Sequence, residues 1–328
     1  MKHLILVGAC YLDTILTVPQ FPEEDSKLRA KALQVRRGGN CPNTLEVLQQ
    51  LLISSDAQHH QDRVHIRPYL VSCLPDRDAA ATDKILSSFG GGRDGGDDEN
   101  AVLVDFSHCL YRKGHDEPAS SYIIRSIQNG SRTIVNYNDL PEMTTDEFKG
   151  IADAFAAEHS DEESWWHFEG RIPETTLGCI QYLRRILPKS TISVEVEKPN
   201  REGLVELAAE ADTVFYSKSW AESRGYHSPE ECLRAEAPST RATVLLCTWG
   251  AEGAASFCKP SGEYIHGPAN QPGEPISVVD TIGAGDTFIA GMLYGLHNET
   301  WSREAKLAFA VGLATKKVQI EGFAHLTS

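Results

Sequence analysis

Hydrophobic and polar positions along this chain follow two alternating patterns. Short, nearly continuous apolar runs recur at residues 4–10 (LILVGAC), 65–74 (HIRPYLVSCL), 190–197 (STISVEVE), 211–217 (ADTVFYS) and 242–250 (ATVLLCTWG). A run apolar at every position is a strand covered on both faces, the habit of a parallel sheet. Between these runs, residues 43–52, 175–186 and 201–209 show the spacing of amphipathic helices. Strand and helix alternate, which predicts a doubly wound α/β architecture with a mostly parallel sheet.

Two stretches interrupt the alternation, one around 17–37 and one around 121–137. The second reads SYIIRSIQNGSRTIVNY, two β-rich arms around Asn129-Gly130, residues that tolerate the positive φ of a tight hairpin turn. Together these stretches predict a small β-sheet lid beside the main layer, with segments at about 14–37 and 103–137. The run at 90–100 (GGGRDGGDDEN) is rich in glycine and acid and reads as a mobile surface loop. No internal repeat is evident.

The chain has 328 residues, enough for one large core. Its formal charge of -15, from 46 acidic and 31 basic side chains without a basic cluster, argues against a nucleic-acid partner. The eight cysteines are scattered singly, with no Cys-x-x-Cys pair and no zinc-ligand spacing, so most of them read as small buried hydrophobes. The N-terminal apolar run turns polar within about ten residues, too short to span a membrane. With no targeting signal in view, the expected compartment is cytoplasmic and no membrane partner is expected.

The segment at 276–296, ISVVDTIGAGDTFIAGMLYGL, reads as strand, glycine turn and helix. Gly283, Ala284 and Gly285 carry almost no side chain, so the backbone can approach an anion and aim the unpaired N–H groups of a helix start at it. Asp286 sits at the same mouth, where a carboxylate within reach of a substrate hydroxyl can act as general base during phosphoryl transfer. A glycine turn followed by aspartate is also an ordinary helix cap, and spacing alone leaves the two readings level. A dinucleotide fingerprint would need glycine at 288, where this chain has Phe288, and no Gly-Lys-Ser/Thr loop exists.

The string Asp280-Thr281-Ile282-Gly283-Ala284-Gly285-Asp286-Thr287-Phe288 resembles the C-terminal signature of the ribokinase-like (pfkB) carbohydrate kinases. The string Arg37-Gly38-Gly39-Asn40-Cys41-Pro42-Asn43 resembles that family's sugar-gripping turn. Further strings at 21–26, 130–134, 167–171, 193–199 and 279–281 are similar to the branch of the family acting on ketohexoses. The resemblance implies a single ribokinase-like kinase domain over 1–328 with a β-clasp lid, and ATP-dependent phosphorylation of a ketohexose, D-fructose to fructose 1-phosphate first among them. Another sugar or nucleoside of the family, or a silent sugar-binding regulator, remains open.

By the same resemblance Asp13, Gly39, Asn40 and Asn43 hold the sugar; Asn40 and Asn43 could instead cap the helix that follows, and one Asn could serve both ends. Asp25 reaches the sugar of a partner subunit, or is a solvated turn residue. Arg132, Gly250, Ala251, Glu252, Gly253, Gly283, Ala284, Gly285 and Asp286 receive ATP, and Asp286 is the base. Glu169 and Arg171 orient the sugar or one another. The family's Asn-x-x-Glu element for Mg2+ is replaced by Ser217-Lys218-Ser219-Trp220-Ala221-Glu222. Mg2+ is still expected with ATP, without assigned ligands, and the resemblance leaves room for K+ near Asp280 and for a clasp-mediated homodimer.

Overall fold

The computed structural model describes residues 2–58, 65–90, 104–269 and 276–327. Apart from Gly90, the loop expected at 90–100 lies outside the described residues. Strand β1 (Lys2–Val7) is followed by β2 (Tyr11–Val18) and β3 (Ala32–Gly38), then by helix α1 (Asn40–Gln58) and β4 (Ile66–Val71). A short pair, β5 (Cys73–Leu74) and β6 (Leu110–Tyr111), flanks α2 (Ala80–Ser87) in sequence, and β7 (Ala119–Ser126) and β8 (Arg132–Tyr137) form the hairpin. Next come α3 (Thr145–His159), β9 (Glu163–Phe168), α4 (Pro173–Ile186), β10 (Thr191–Val196), α5 (Leu204–Glu210) and β11 (Thr213–Tyr216). Helices α6 (Lys218–Ser223) and α7 (Pro229–Glu236) lead into β12 (Val244–Thr248), β13 (Ala254–Cys258) and β14 (Glu263–Gly267), and α8 (Ala284–His297) and α9 (Arg303–Val318) close the chain.

The main sheet runs β14-β13-β12-β11-β10-β9-β1-β4, with parallel pairings except for the antiparallel β12–β13 and β13–β14 pairs at one edge. Both faces are covered, as the apolar runs require. Ile5 and Val7 of β1 pack with Phe148, Phe155, Trp166 and Leu183, while Leu4 and Leu6 face the opposite layer with Leu45, Leu48, Phe288 and Leu293. Alternate residues of one strand thus enter two separate cores. Seven of the eight cysteines are buried and all are free, in line with their reading as small hydrophobes.

The second sheet, β3-β2-β7-β8, is the lid. Its first strand starts at Tyr11, earlier than residue 14, and residues 110–111 pair with β5 instead of joining it. At the hairpin tip only Gly130 takes a positive φ, +67°; Asn129 does not. Gly130 N donates to Ser126 O at 3.0 Å, closing a four-residue loop that needs a single left-handed residue. Asp13, Arg36, Ser121 and Asn136 stand on the face turned toward the body, in register across the four strands. Among the described residues no helix is long and apolar enough to cross a membrane.

Candidate active site

The cleft lies at the C-terminal ends of the parallel strands, under the lid, where open α/β sheets hold their ligands. Two glycines shape its floor. A Cβ on Gly38 would strike the carboxylate of Asp13, and one on Gly39, which has φ +103°, would strike the Ala9 carbonyl oxygen. Only glycine lets β3 turn this tightly into α1. The turn places Asn40 and Asn43 on the first turn of that helix, facing the cleft.

Asn43 is nearly buried, and its Nδ2 donates to Asp286 Oδ2 at 2.7 Å. Arg37 in turn donates to Asn43 Oδ1 at 3.3 Å and pairs with Glu46. Thr44 Oγ1 donates to the Asp286 carbonyl at 3.2 Å. The sugar-type turn and the start of α8 are therefore fastened to each other by side-chain bonds across 243 residues of sequence. Asn40 does something different: its Nδ2 donates to Glu195 at 2.7 Å and to Glu197 at 3.0 Å.

At the start of α8, Gly283 has φ +77° and lies under the ring of Phe323, with no room for a side chain. Gly285 opens to space. The first N–H groups of a helix have no partner within it, so this turn presents donors to whatever enters. Asp286 is 9% exposed. Burial raises its carboxyl well above the usual carboxylate range, the Glu195 charge pushes the same way, and the Asn43 N–H pulls it back.

The acids around it form a group that the sequence reading did not assemble. Glu195 lies at the end of β10 and Glu169 just beyond β9; burial first, then neighbouring carboxylates, raise Glu195 to about 8 and Glu169 to about 7. Glu169 Oε2 accepts from Ala9 N at 2.9 Å. His167, lowered to about 3 by burial, is neutral; it bonds Ser193 at 2.8 Å and Glu195 at 3.0 Å. The signal for Glu195 and Glu197 was legible as carboxylates two apart in an otherwise apolar strand, STISVEVE.

Glu169, Glu195 and Glu197 line a cleft of about 520 Å³ with Asp13, Gly39, Asn40, Asn43 and Asp286 on its walls. Arg171 also lines it, its charge held by Glu142 at 2.6 Å and its guanidinium bonded to Tyr11. A second cavity of about 430 Å³, mostly apolar, is lined by Gly250, Ala251, Gly253, Ala284, Phe288 and Val311 among others. Both cavities are bounded by Thr248, Thr281, Gly285 and Phe288, so they meet at the α8 start. A polar chamber and an apolar chamber are thus joined at a helix start whose first N–H groups are unpaired within the helix.

Three expected residues stand outside both chambers in this chain. Glu252 is exposed, and Asp25 is exposed in the loop between β2 and β3 with φ +55°. Arg132 donates to Thr281 Oγ1 at 2.9 Å across a groove of about 330 Å³ shared with Arg36 and Arg125. Of the stretch that replaces Asn-x-x-Glu, Ser217 and Ser219 line the polar chamber. Glu222 is exposed, 3.7 Å from Lys218. Asp280 is nearly buried and tied to Ile282 N at 3.0 Å and to Lys317 Nζ at 3.1 Å. Burial would raise its carboxyl, yet those contacts hold it below the ordinary value.

Comparison with known proteins gives the family and the fold. The family model of the pfkB family carbohydrate kinases matches residues 101–327. Ketohexokinase of Mus musculus is 31% identical over 330 aligned positions, covering 98% of each chain. A Rhizobium leguminosarum fructokinase is 34% identical over 101 residues, 30% of this chain and 29% of its own. Among solved structures, ribokinase from Thermotoga maritima superposes with a TM-score of 0.70 at 16% identity, covering 97% of this chain and 93% of its own. Arabidopsis thaliana ribokinase complexed with ribose and ATP gives 0.70 at 18% identity with the same coverage.

The fold is that of the ribokinase-like α/β kinases. The chain belongs to the pfkB family of carbohydrate kinases, and it is a sugar kinase, a phosphotransferase.

Proposed function

We propose that this enzyme transfers the γ-phosphoryl group of ATP to the 1-hydroxyl of a ketohexose, D-fructose first, with Asp286 as general base. The observation that carries the proposal is the meeting of the polar and apolar chambers at the α8 start, with the buried Asp286 at the junction. The similarity to a ketohexokinase over 98% of the chain supports the choice of sugar. The chemistry of the walls supports it too. Asp13, Asn43 and the acids around them offer acceptors and donors for a neutral polyol, and Arg171, already paired with Glu142, offers no free charge to a sugar phosphate.

In this mechanism Asp13 and Asn43 orient the sugar, and Asp286 accepts the proton of the attacking hydroxyl as its oxygen approaches phosphorus. The N–H groups at Gly285 and Asp286 stabilise the negative charge on the transferring group. Mg2+ carried with ATP would neutralise phosphate charge. Glu197, half-exposed on the cleft wall and paired with Lys198 at 2.8 Å, would hold it or its waters by giving up that lysine. Gly250, Ala251 and Gly253 wall the nucleotide's apolar chamber, and Arg132 is placed at the lid edge to reach phosphate when the lid closes.

The lid also bears on assembly. Its outer face exposes Leu33, Val35, Tyr122, Val135 and Tyr137, a contiguous apolar patch of the kind a second subunit covers. A homodimer through this face would bring the exposed Asp25 loop within reach of a partner's sugar. Assay of fructose, tagatose, ribose and adenosine with Mg-ATP tests the reading. Turnover of fructose above the others, lost by about 1,000-fold in Asp286→Asn with nucleotide binding retained, is the expected outcome. Turnover of ribose or adenosine without fructose refutes the substrate; unchanged turnover in Asp286→Asn refutes the base.

A further inference from the structure

The turn that begins the anion-binding site is held by a cation already built into the chain. Lys317, on α9, is 0% exposed, the one lysine fully withdrawn from solvent among the described residues. Its Nζ donates to the Asp280 carbonyl oxygen at 3.0 Å and to Asp280 Oδ2 at 3.1 Å. Those are the two kinds of oxygen, a backbone carbonyl and a carboxylate, that a monovalent metal ion would take at this turn. Arg36 Nη1 also reaches Asp280 Oδ2, at 3.4 Å, and the Phe323 ring lies 5.3 Å from the ammonium. One carboxylate thus already faces two fixed positive charges. A further cation on the same oxygens would meet net repulsion and would have to displace the ammonium.

The contacts around Lys317 run straight to the catalytic turn. Asp280 Oδ1 accepts from Ile282 N, and the next residue, Gly283, starts α8 with Phe323 packed on it. Gln50 of α1 donates to the Phe323 backbone carbonyl at 2.9 Å, which ties the segment carrying that ring to α1. The K+ allowed for by the family resemblance therefore does not fit the residues present. We infer that Lys317 is the resident cation of the Asp280 turn, a positioning residue for the anion-binding N–H groups, and that phosphoryl transfer in this enzyme needs no monovalent metal ion. The inference rests on the kinase reading for its functional half only; the occupancy of the turn stands on geometry.

The test uses the native chain first. Turnover with Mg-ATP should be unchanged when K+ is exchanged for tetramethylammonium at constant ionic strength, and Tl+, a K+ mimic, should show no saturable binding by thallium NMR. A loss of rate restored by K+, or a Tl+ site abolished in Asp280→Asn, overturns the inference. Lys317→Ala should then lose kcat on the order of 100-fold, as expected for a misplaced catalytic turn, with the sugar KM little changed. It should regain rate with K+, ammonium or methylammonium and acquire a Tl+ site. Lys317→Ala that keeps its native rate in tetramethylammonium overturns the positioning role. If no sugar is turned over at all, the kinase reading fails while the Tl+ titration of the native chain still decides the occupancy.

Discussion

Replacing Asn43 with alanine isolates the group that, in the proposed mechanism, keeps Asp286 usable as a base. The Asn43 Nδ2 to Asp286 Oδ2 bond is 2.7 Å long, with both residues less than a tenth exposed, so water neither screens nor replaces it. A hydrogen bond to a charged group contributes about 1.5–3 kcal/mol, and part of that persists when the carboxyl is neutral. At 1.36 kcal/mol per unit, the net loss raises the Asp286 pKa by about 1 unit. The sign follows from the role: a base works ionised, so the rate falls as pH drops through its pKa, and a raised pKa moves that limb to higher pH. The acid limb of kcat/KM for the free enzyme should therefore move up by about 1 unit, with most of the rate recovered above it. Glu197→Gln removes a like charge and should move the same limb down. A uniform rate loss in Asn43→Ala with the limb unmoved would refute the assigned interaction.

Other consequences are open to direct measurement. Glu195 and Glu169 have folded pKa values raised to about 8 and about 7, so their contribution to stability is complete below about pH 4.5 and declines as pH rises toward 8. Thermal melts of the substrate-free enzyme should show a lower Tm at pH 8 than at pH 6, and Glu195→Gln should flatten the difference. Gly39→Ala adds a Cβ against the Ala9 carbonyl at φ +103° and should cost about 1–3 kcal/mol in denaturant unfolding, with loss of sugar binding. Val135→Glu on the outer lid face should leave the fold intact and convert a dimer to monomer in sedimentation; an unchanged sedimentation coefficient in a dimeric native chain would place the interface elsewhere.

Much of this molecule was written in local sequence. The both-face burial of β1 follows from residues 4–7 being apolar without a break, and the strand–helix alternation leaves a doubly wound sheet as the arrangement that covers such strands. The glycine turns were readable for the same reason: at Gly39 and Gly283 the backbone takes φ angles that a side chain forbids, so the residue type announces the geometry. Asp286 could be proposed as a base from its place after such a turn. Its burial and its bond to Asn43 could not, because the partner lies 243 residues away and meets it only when α1 and α8 pack together.

The same limit explains the other surprises. Glu169, Glu195 and Asn40 come from β9, β10 and α1, and only the parallel register brings their strand ends to one rim. The raised pKa values of Glu169 and Glu195 are properties of shared burial, which no single segment possesses. Lys317 looks in sequence like any lysine in the last turn of a helix, where cations commonly sit. Tertiary packing of α9 against the 280–283 turn withdraws it from water and leaves the two Asp280 oxygens as its partners. Sequence by itself determined which elements form and where the backbone must turn; the tertiary structure decided which charges face one another, because electrostatic partners are chosen by distance in space.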